Sequence, residues 1–226
     1  MKNINYSEKK AKDFNILTRL YQFYSLYVLY FPFFGLPFYK FKVERNKNIP
    51  KDKLYILAPN HISYMDVFIV NWAFERPLGY IAKQELIKTD TNFHKWIATN
   101  VRRLGAFAVN REKVGLSTIK SVKETFKANY NLCIFPQGGI RKNKVIENIS
   151  GGFIYFAKTN KIDIVPMGVS GLEKYNWNPF KKQQVNLKIG TPISYELDEK
   201  EILKQWCDQV CKLTGYENKN FIEENK

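Results

Sequence analysis

Short apolar runs alternate with amphipathic stretches through most of this chain. An alternation of this kind is typical of a sheet with helices packed on it, and it predicts an α/β fold with a mixed central sheet flanked by helices. The predicted strands are Leu54–Ala58, Gly79–Ile81, Ala106–Val109, Leu132–Phe135, Ile164–Val169 and Val185–Ile189. The predicted helices are Ser63–Phe74, Phe93–Arg103, Gly115–Ala128, Phe153–Lys158 and Glu199–Leu213.

A different pattern fills the segment from Leu20 to Tyr39, which has roughly 20 residues without a charge, close to the length that spans a bilayer core. Its many tyrosines and phenylalanines favour the headgroup interface over the hydrocarbon centre. Pro32 and Pro37 break or kink a helix, so we expect a helix to about Phe31 and then a short helix or turn. We favour a monotopic anchor that lies in the interface with its basic flanks on anionic lipid; a membrane span and a buried core helix are the alternatives.

These patterns divide the chain into three regions. Residues 1–45 are expected to form the N-terminal membrane-associated helical segment, and residues 46–216 the α/β domain. The stretch Lys42–Lys53 is basic and polar, and it is expected to connect the two. Residues 217–226 are expected to form a flexible tail.

Composition adds a strong basic character. The chain has 226 residues, 45% of them hydrophobic and 25% charged, which is typical of a folded protein, and its formal net charge is +15. Such a surface attracts nucleic acid, acidic lipid headgroups or phosphorylated substrates. An odd number of cysteines without a Cys-x-x-Cys pair indicates a reducing compartment, and two histidines without a Cys/His cluster predict no metal site.

The first stretch with candidate chemistry follows a predicted strand and contains His61 and Asp66. Five positions on a continuous helix give about 500° of rotation, so the two side chains can meet only if His61 lies in the turn and Asp66 in the first helical turn, with Ser63 as the N-cap. A carboxylate on one imidazole nitrogen would leave the other nitrogen as a base. The alternative is a plain capping box of Ser63 and Asp66, which needs no catalysis.

Three later strand ends also carry polar groups. Arg111 follows a strand and offers a planar fork suited to phosphate, or it is a solvated surface side chain. Gly138 opens a turn in which backbone amides can approach a ligand, with Arg141 close behind. Pro166 in a buried strand indicates a strand end or a bulge. Gly-x-Ser-x-Gly is absent, so Ser170 and Cys133 are poor candidates for a covalent nucleophile.

Taken in order, these stretches resemble the glycerolipid acyltransferase family, whose best known members acylate 1-acyl-glycerol-3-phosphate and related lysophospholipids. The similarity covers roughly residues 52–214 and the ordered set is specific. The matches are Asn60, His61 and Asp66 to the family's Asn-His-x4-Asp, Lys83 to Leu86 to its Lys-x-Glu-Leu, Gly105 and Arg111 to its second block, Val165, Pro166 and Gly168 to its fourth, and Gly190 to Ile193 to its Gly-x-Pro-Ile.

The third block departs from the family pattern. The family reads Phe-Pro-Glu-Gly-Thr-Arg, whereas this chain has Gln137 in place of the glutamate and its arginine, Arg141, one position late. In the family this glutamate lies near a glycerol hydroxyl of the acceptor. An amide accepts and donates hydrogen bonds but carries no charge, which leaves another lysolipid or a glycolipid open as the acceptor.

The resemblance implies direct acyl transfer from acyl-CoA or acyl carrier protein, as co-substrate and without a cofactor, to a lysolipid hydroxyl at the cytoplasmic face of a membrane. His61 and Asp66 would be catalytic. The implied substrate-binding residues are Asn60, Ser63, Lys83, Arg111, Gln137, Gly138, Arg141 and Pro166.

Two other classes of function stay open. A thioester hydrolase could use the same His61–Asp66 pair to activate water. A non-catalytic basic protein that binds membranes or nucleic acid would explain the charge and the apolar segment but not the pair. Its lysines are scattered without the aromatic interleaving of a nucleic-acid groove, so we expect no nucleic-acid partner.

Overall fold

A computed structural model of the protein describes residues 10–25, 27–28, 36–83, 91–109 and 115–220. The helices are a 3-10 turn at Ala11–Asp13 and α1 (Ile16–Tyr24), α2 (Asp66–Phe74), α3 (Asn92–Arg103), α4 (Leu116–Lys127), α5 (Gly152–Asn160) and α6 (Glu199–Thr214). The strands are β1 (Tyr39–Glu44), β2 (Ile56–Pro59), β3 (Leu78–Lys83), β4 (Ala106–Val109), β5 (Asn131–Cys133), β6 (Val145–Ile146), β7 (Ile164–Ser170), β8 (Gln183–Ile189) and β9 (Glu217–Asn218).

The α/β architecture, a mixed sheet flanked by helices, is therefore confirmed. Each strand and helix that the sequence predicted between residues 54 and 213 is present, with ends shifted by a few residues. The largest shift is at α2, which begins at Asp66 with Met65 as its N-cap residue. Ser63 is therefore not the N-cap that the spacing predicted.

The described residues form two compact units. One unit comprises Leu26–Glu75 and Ile134–Lys226, and its strands lie in the order β1, β8, β7, β2. Strand β7 runs parallel to β2 and antiparallel to β8, while β8 is parallel to β1. The buried Trp206 of α6 packs on Phe153 and donates its indole N–H to the Ala58 carbonyl at 2.9 Å. This contact holds the end of β2, from which the candidate active site begins.

The other unit comprises Met1–Ser25 and Arg76–Cys133, and its strands are all parallel in the order β5, β3, β4. Helix α1 belongs to this unit and has an unusual division of its surface. Its buried side chains are polar, Thr18 and Gln22, and the Gln22 amide donates to the Leu78 and Leu104 carbonyls at 2.7 and 2.8 Å. Its exposed side chains are mostly apolar: Ile16, Leu17, Leu20, Phe23 and Tyr24.

The expectation for the N-terminal segment needs a correction. Tyr39–Glu44 is a strand paired with β8, so part of the predicted anchor and connector belongs to the sheet, inside the boundary expected at residue 45. Tyr39 is buried and Lys40 exposed, and this alternation continues through the strand with charged residues on the outer side. Among the described residues no helix is long and apolar enough to cross a bilayer. Residues 29–35, where the helix end and Pro32 were expected to lie, are outside the described part.

The expected start of the flexible tail is also wrong. Glu217 and Asn218 form β9, which pairs in parallel with Val145 and Ile146. The pairing is extended by the Glu217 amide, which donates to the Lys144 carbonyl at 3.1 Å. A two-residue strand of polar residues leaves no periodic signal in the sequence, and its partner lies far away along the chain.

Candidate active site

His61 and Asp66 come together at the end of β2. The loop after the strand carries His61, and Asp66 is the first residue of α2, the arrangement that the five-residue spacing required. The His61 Nδ1 atom lies 2.9 Å from the Asp66 Oδ2 atom. Asp66 is fully buried, whereas the His61 side chain keeps 16% of its surface exposed. The carboxylate therefore lies behind an imidazole that solvent or a substrate can reach.

A single oxygen of Asp66 organises the whole turn. Besides the imidazole, Oδ2 accepts the backbone N–H groups of Ile62 at 2.7 Å and of Ser63 at 2.9 Å. The contact with Ser63 resembles the carboxylate half of a capping box, but Ser63 is not the N-cap of α2 and Asp66 is the first residue of that helix. The same oxygen therefore holds the turn and contacts the imidazole. The Ser63 hydroxyl instead accepts the Met65 N–H at 3.2 Å.

Burial dominates the electrostatics of Asp66. Removal from water raises the pKa of this carboxyl group, and the hydrogen bonds from His61 and from the Ser63 and Ile62 amides oppose the rise. Its second oxygen, Oδ1, is buried and has no hydrogen-bond partner among the described residues. All the hydrogen bonds of the carboxylate therefore fall on the oxygen that faces the imidazole.

The imidazole is fixed from two sides. Its ring stacks on Phe135, with centroids 4.1 Å apart and planes 25° from parallel. Because the carboxylate accepts at Nδ1, the hydrogen-bond network assigns the neutral ring its proton there and leaves the lone pair on Nε2. The arrangement presents Nε2 as a base in a fixed orientation.

Gln137 supports the backbone of His61. Its Oε1 atom accepts the His61 N–H at 3.2 Å, and its Nε2 atom donates to the Val145 carbonyl at 3.2 Å. The side chain is 4% exposed, and both ends of its amide are used within the protein. The structure therefore makes Gln137 a positioning residue for His61, and its expected contact with the substrate stays a prediction.

The rest of the third block also acts through the main chain. The Gly138 N–H closes a turn onto the Phe135 carbonyl at 3.0 Å, with a φ of 67° that suits glycine. That N–H is therefore engaged in the turn. The Arg141 N–H donates to the His61 carbonyl at 2.7 Å, while the Arg141 side chain is exposed. Both peptide groups of His61 are thus held by this one loop.

Asn60 is a second positioning residue, and its expected role in substrate binding stays a prediction. It is fully buried, its Nδ2 atom donates to the Val169 carbonyl at 2.9 Å, and its Oδ1 atom accepts the Val169 N–H at 2.7 Å. The side chain thus pairs with β7 as a neighbouring strand would. This double contact fixes where the chain leaves β2 just before His61.

Ser63 lies close to Tyr175 and Lys142, two residues that the sequence motifs did not identify. Its Oγ atom lies 3.4 Å from the Tyr175 hydroxyl, and the Lys142 ammonium lies 4.5 Å from the centre of the Tyr175 ring. Tyr175 is in the loop after the fourth block and Lys142 directly follows Arg141. Position next to two of the blocks was the only signal in the sequence, and it does not reveal a cation stacked on a ring.

Comparison with known proteins now decides the family. The model of the family described as Acyltransferase matches residues 40–170, more than half of the chain. The chain belongs to the Acyltransferase family. The expected acyltransferase family is thereby confirmed, and the chain is an acyltransferase.

Individual relatives agree with this family. The chain is 29% identical over 153 residues to a 1-acyl-sn-glycerol-3-phosphate acyltransferase of Bacillus subtilis. The aligned region covers 67% of this chain and 73% of the relative. The chain is 25% identical over 155 residues to the protein of the same name from Cocos nucifera, covering 67% of this chain and 49% of that relative. The crystal structure of the 1-acyl-sn-glycerophosphate (LPA) acyltransferase from Thermotoga maritima superposes with a TM-score of 0.56 at 18% identity, over 90% of this chain and 79% of that one, and so supports the fold.

The fourth block of this acyltransferase contains the predicted irregularity. Ile164 of β7 bridges Ile193, whereas Met167 pairs with Ile189. An advance of three residues along β7 therefore corresponds to four residues along the segment that pairs with it. This is a bulge, and it lies opposite Pro166, which lacks the N–H that a regular ladder would need. Pro166 is buried in the strand, and its expected role in substrate binding stays a prediction.

The two remaining candidates for phosphate binding are not tested by this structure. Lys83 is the last residue of β3 and pairs through its backbone with Val109, but its side chain is outside the described part. Arg111 also lies outside the described residues. Their roles stay predictions from the resemblance.

Proposed function

We propose that this acyltransferase moves a fatty acyl chain from acyl-CoA or acyl carrier protein to the free hydroxyl of 1-acyl-glycerol-3-phosphate, with His61 as the general base. The observation that carries the proposal is the 2.9 Å contact of His61 Nδ1 with the buried carboxylate of Asp66. It leaves Nε2 of a partly exposed imidazole available to take a proton.

The proposed reaction has no acyl-enzyme intermediate. The acceptor hydroxyl gives its proton to His61 Nε2 while its oxygen attacks the thioester carbonyl carbon. Asp66 stabilises the imidazolium through the Nδ1–H bond. The tetrahedral intermediate then expels the thiolate, which takes the proton from Nε2, and the products are an ester and a free thiol.

The acceptor is proposed on two grounds. The relatives from Bacillus subtilis and Cocos nucifera carry the name 1-acyl-sn-glycerol-3-phosphate acyltransferase. In addition, Gln137 uses both ends of its amide inside the protein, so its replacement of glutamate concerns the support of His61 more than the charge that meets the acceptor. A different lysolipid or a glycolipid is the second candidate acceptor.

A phosphate on the acceptor requires cations near His61. Arg141 is bonded through its backbone to the His61 carbonyl, and the exposed guanidinium of Arg141 offers a fork for phosphate. We assign Arg111 and Lys83 the same role from the family motifs. Arg111→Ala and Arg141→Ala should each mainly raise the acceptor KM, and an unchanged KM would remove that residue from phosphate binding.

We also propose that the enzyme associates with the cytoplasmic face of a membrane, where acyl-CoA and acyl carrier protein are present. Helix α1 supports this, because it buries Thr18 and Gln22 and exposes apolar residues such as Leu17 and Phe23. A helix with an exposed apolar face can lie in the lipid interface without crossing the bilayer. Flotation of the protein with anionic vesicles measures this association.

Replacement of the base tests the proposed reaction directly. General-base catalysis contributes about 10²–10⁴-fold, so His61→Ala should lower kcat by about that factor. The assay supplies acyl-CoA and a soluble short-chain 1-acyl-glycerol-3-phosphate and follows both free thiol and diacyl product. His94→Ala, at the chain's other histidine, is the matched control and should stay near wild type.

Two outcomes would contradict the proposal. Near-normal turnover by His61→Ala would remove the histidine as the base. Thiol release at the same rate with and without the acceptor would identify a thioester hydrolase that uses the same pair to activate water. A panel of lysolipids, read by mass spectrometry, then names the acceptor class.

A further inference from the structure

The loop that joins β7 to β8, Gly171–Lys182, presents two large rings to solvent. Phe180 is 98% exposed and Trp177 is 64% exposed. A single exposed apolar side chain is ordinary on a protein surface. Two such rings three positions apart on one loop leave a considerable area of apolar surface unburied, which indicates a surface that meets an apolar partner.

The same loop is basic. Lys174, Lys181 and Lys182 are all exposed, and two of them directly follow Phe180. Lysine carries its charge at the end of a long apolar stem, so it can place the charge at a polar boundary while the stem lies against apolar material. We call Gly171–Lys182 the aromatic–lysine loop.

Side-chain amides hold the loop in one shape. The Asn176 amide donates to the carbonyls of Phe38 and Lys181, both at 2.8 Å. Asn178 accepts the Phe180 N–H at 2.9 Å. Because the rings are presented by a loop that is already ordered, binding through them loses little conformational entropy.

A row of rings joins the loop to the candidate active site. The Trp177 ring lies 5.6 Å from that of Phe38 and 6.4 Å from that of Tyr175. Tyr175 in turn contacts Ser63, two residues after His61. The loop is therefore the neighbour of the base, and whatever it binds is brought close to the reacting groups.

We propose that the aromatic–lysine loop inserts into the interface of an anionic lipid surface. Trp177 and Phe180 enter the boundary between headgroups and acyl chains, where aromatic rings are favoured, and the lysines pair with lipid phosphates. This deepens the proposed function, on which it rests in that the acceptor is a membrane lipid. It adds a second membrane contact, separate from α1, next to His61.

An acidic protein such as an acyl carrier would attract the same lysines, but the exposure of Phe180 favours lipid. A ring that is almost completely exposed is best buried in an apolar layer into which it can be inserted. A lipid interface supplies that layer at every point, whereas a protein must supply a matching pocket. The experiment below separates the two partners.

The test measures flotation of the full chain with vesicles of phosphatidylglycerol and phosphatidylcholine, and with phosphatidylcholine alone. Phe180→Ser should weaken binding to the anionic vesicles by about tenfold, since it removes the interfacial ring. Lys181→Gln with Lys182→Gln should weaken it by about fivefold for each charge. Leu116→Ser, at an exposed residue of α4, and Lys120→Gln with Lys123→Gln are the matched controls and should bind as wild type.

Fluorescence quenching by brominated lipid locates the insertion. The quenched fraction should be larger for wild type than for Trp177→Phe, because Trp177 is the tryptophan that the proposal places in the lipid. Equal quenching of the two proteins, or unchanged flotation of Phe180→Ser, would overturn the proposal.

Activity assays keep this proposal separate from the proposed function. All loop variants should transfer acyl chains to a soluble short-chain acceptor at the wild-type rate and lose rate on acceptor embedded in vesicles. If wild type fails with the soluble acceptor, the proposed function fails whatever the vesicles show. If Phe180→Ser binds vesicles normally but loses rate with acyl carrier protein alone, the loop docks a protein and the lipid proposal is overturned.

Discussion

At the scale of single residues, one oxygen atom of Asp66 both contacts the His61 imidazole and holds the backbone of the turn. Oδ2 holds the imidazole of His61 and the backbone of Ile62 and Ser63, while Oδ1 stays buried without a partner among the described residues. A buried carboxylate with an unused oxygen costs folding free energy. This cost fits the proposed mechanism, in which the carboxylate stabilises the imidazolium of His61.

Asp66→Asn should separate the hydrogen bonding of this residue from its charge. Asparagine can keep the three hydrogen bonds through its oxygen but has no charge to stabilise the imidazolium, so kcat should fall by about 10²–10⁴-fold while the fold survives. Asp208→Asn, an exposed carboxylate of α6, is the control and should keep wild-type activity. Full activity of Asp66→Asn would remove the carboxylate from the mechanism.

The same variant predicts a pH dependence of stability. Burial raises the pKa of Asp66 above its value in the unfolded chain, so the folded protein holds this proton more tightly. The resulting stability is fully present below the unfolded pKa, about 4, and is lost as the pH rises through the raised folded pKa. Asparagine does not titrate, so the free energy of unfolding of Asp66→Asn relative to wild type should increase from about pH 4 to neutral pH. Urea unfolding at several pH values checks this, and a flat difference would contradict it.

Gln137→Glu should destabilise this protein although glutamate is the family's usual residue. A carboxylate still accepts the His61 N–H, but it cannot donate to the Val145 carbonyl, so the free energy of unfolding should fall by about 1–3 kcal/mol at neutral pH. Burial should raise the pKa of the new carboxyl group, so the loss should shrink as the pH falls and the group takes a proton. Gln184→Glu, exposed on β8, is the control for urea unfolding at pH 5 and 8. Equal loss at both pH values would point to a cause other than the charge.

At the scale of elements, the sequence predicted those that form a continuous apolar run or bury one face of a helix. β4 was predicted with the observed bounds, and α6 differs from its prediction by one residue. β1 was missed because its lysines and its place beside an aromatic run hide the alternation, and β9 because its two residues have no period at all. Apolar runs and apolar helix faces are therefore visible in the sequence, whereas a strand rich in charged or polar residues that pairs with a distant segment is visible only in three dimensions.

In helix α1, replacing a buried polar residue with an apolar one should destabilise the protein more than replacing an exposed apolar residue with a polar one. Gln22→Leu should lower the free energy of unfolding by about 2 kcal/mol, because the carbonyls of Leu78 and Leu104 lose the amide that they share. Leu20→Gln, on the exposed face of the same helix, should change stability by less than about 0.5 kcal/mol. Chemical denaturation of both variants tests this. A greater loss from Leu20→Gln would show that the apolar face is covered within the protein.

At the scale of the whole molecule, charge and apolar surface point to the same partner. The net charge is +15, while α1 and the aromatic–lysine loop expose apolar rings and chains. Basic charge attracts a protein to an anionic surface over about a Debye length, and apolar side chains retain it there. Together they support the proposed membrane partner, whereas charge alone also suits nucleic acid.

Salt should therefore weaken binding in a graded way. Raising the ionic strength from about 0.1 M to 1 M shortens the Debye length from about 10 Å to about 3 Å, so flotation with anionic vesicles should fall strongly but not vanish. The remaining binding should be the part carried by apolar insertion, and Phe180→Ser should reduce it further. Binding that is unaffected by salt would show that the charge plays no part.

The residues of the candidate active site were only partly predicted from the sequence. His61 and Asp66 follow from spacing, because helix geometry dictates where each must lie for the pair to meet. Asn60 and Gln137 were predicted to bind substrate, a role that stays a prediction, and the structure adds that their amides bind Val169, His61 and Val145. Motif resemblance selects residues around a reaction but does not distinguish those that touch the substrate from those that support others.

Gln137 supports the His61 backbone with an uncharged amide, which simplifies the pH dependence of this site. An amide neither gains nor loses a proton over the range in which enzymes are assayed, so acid and alkali leave the support of the His61 backbone unchanged. With a glutamate at this position, the support and the base would change protonation together, and one rate profile would mix the two events. Under the proposed mechanism, a profile of rate against pH should therefore report the His61–Asp66 pair without any ionisation of the side chain that supports it.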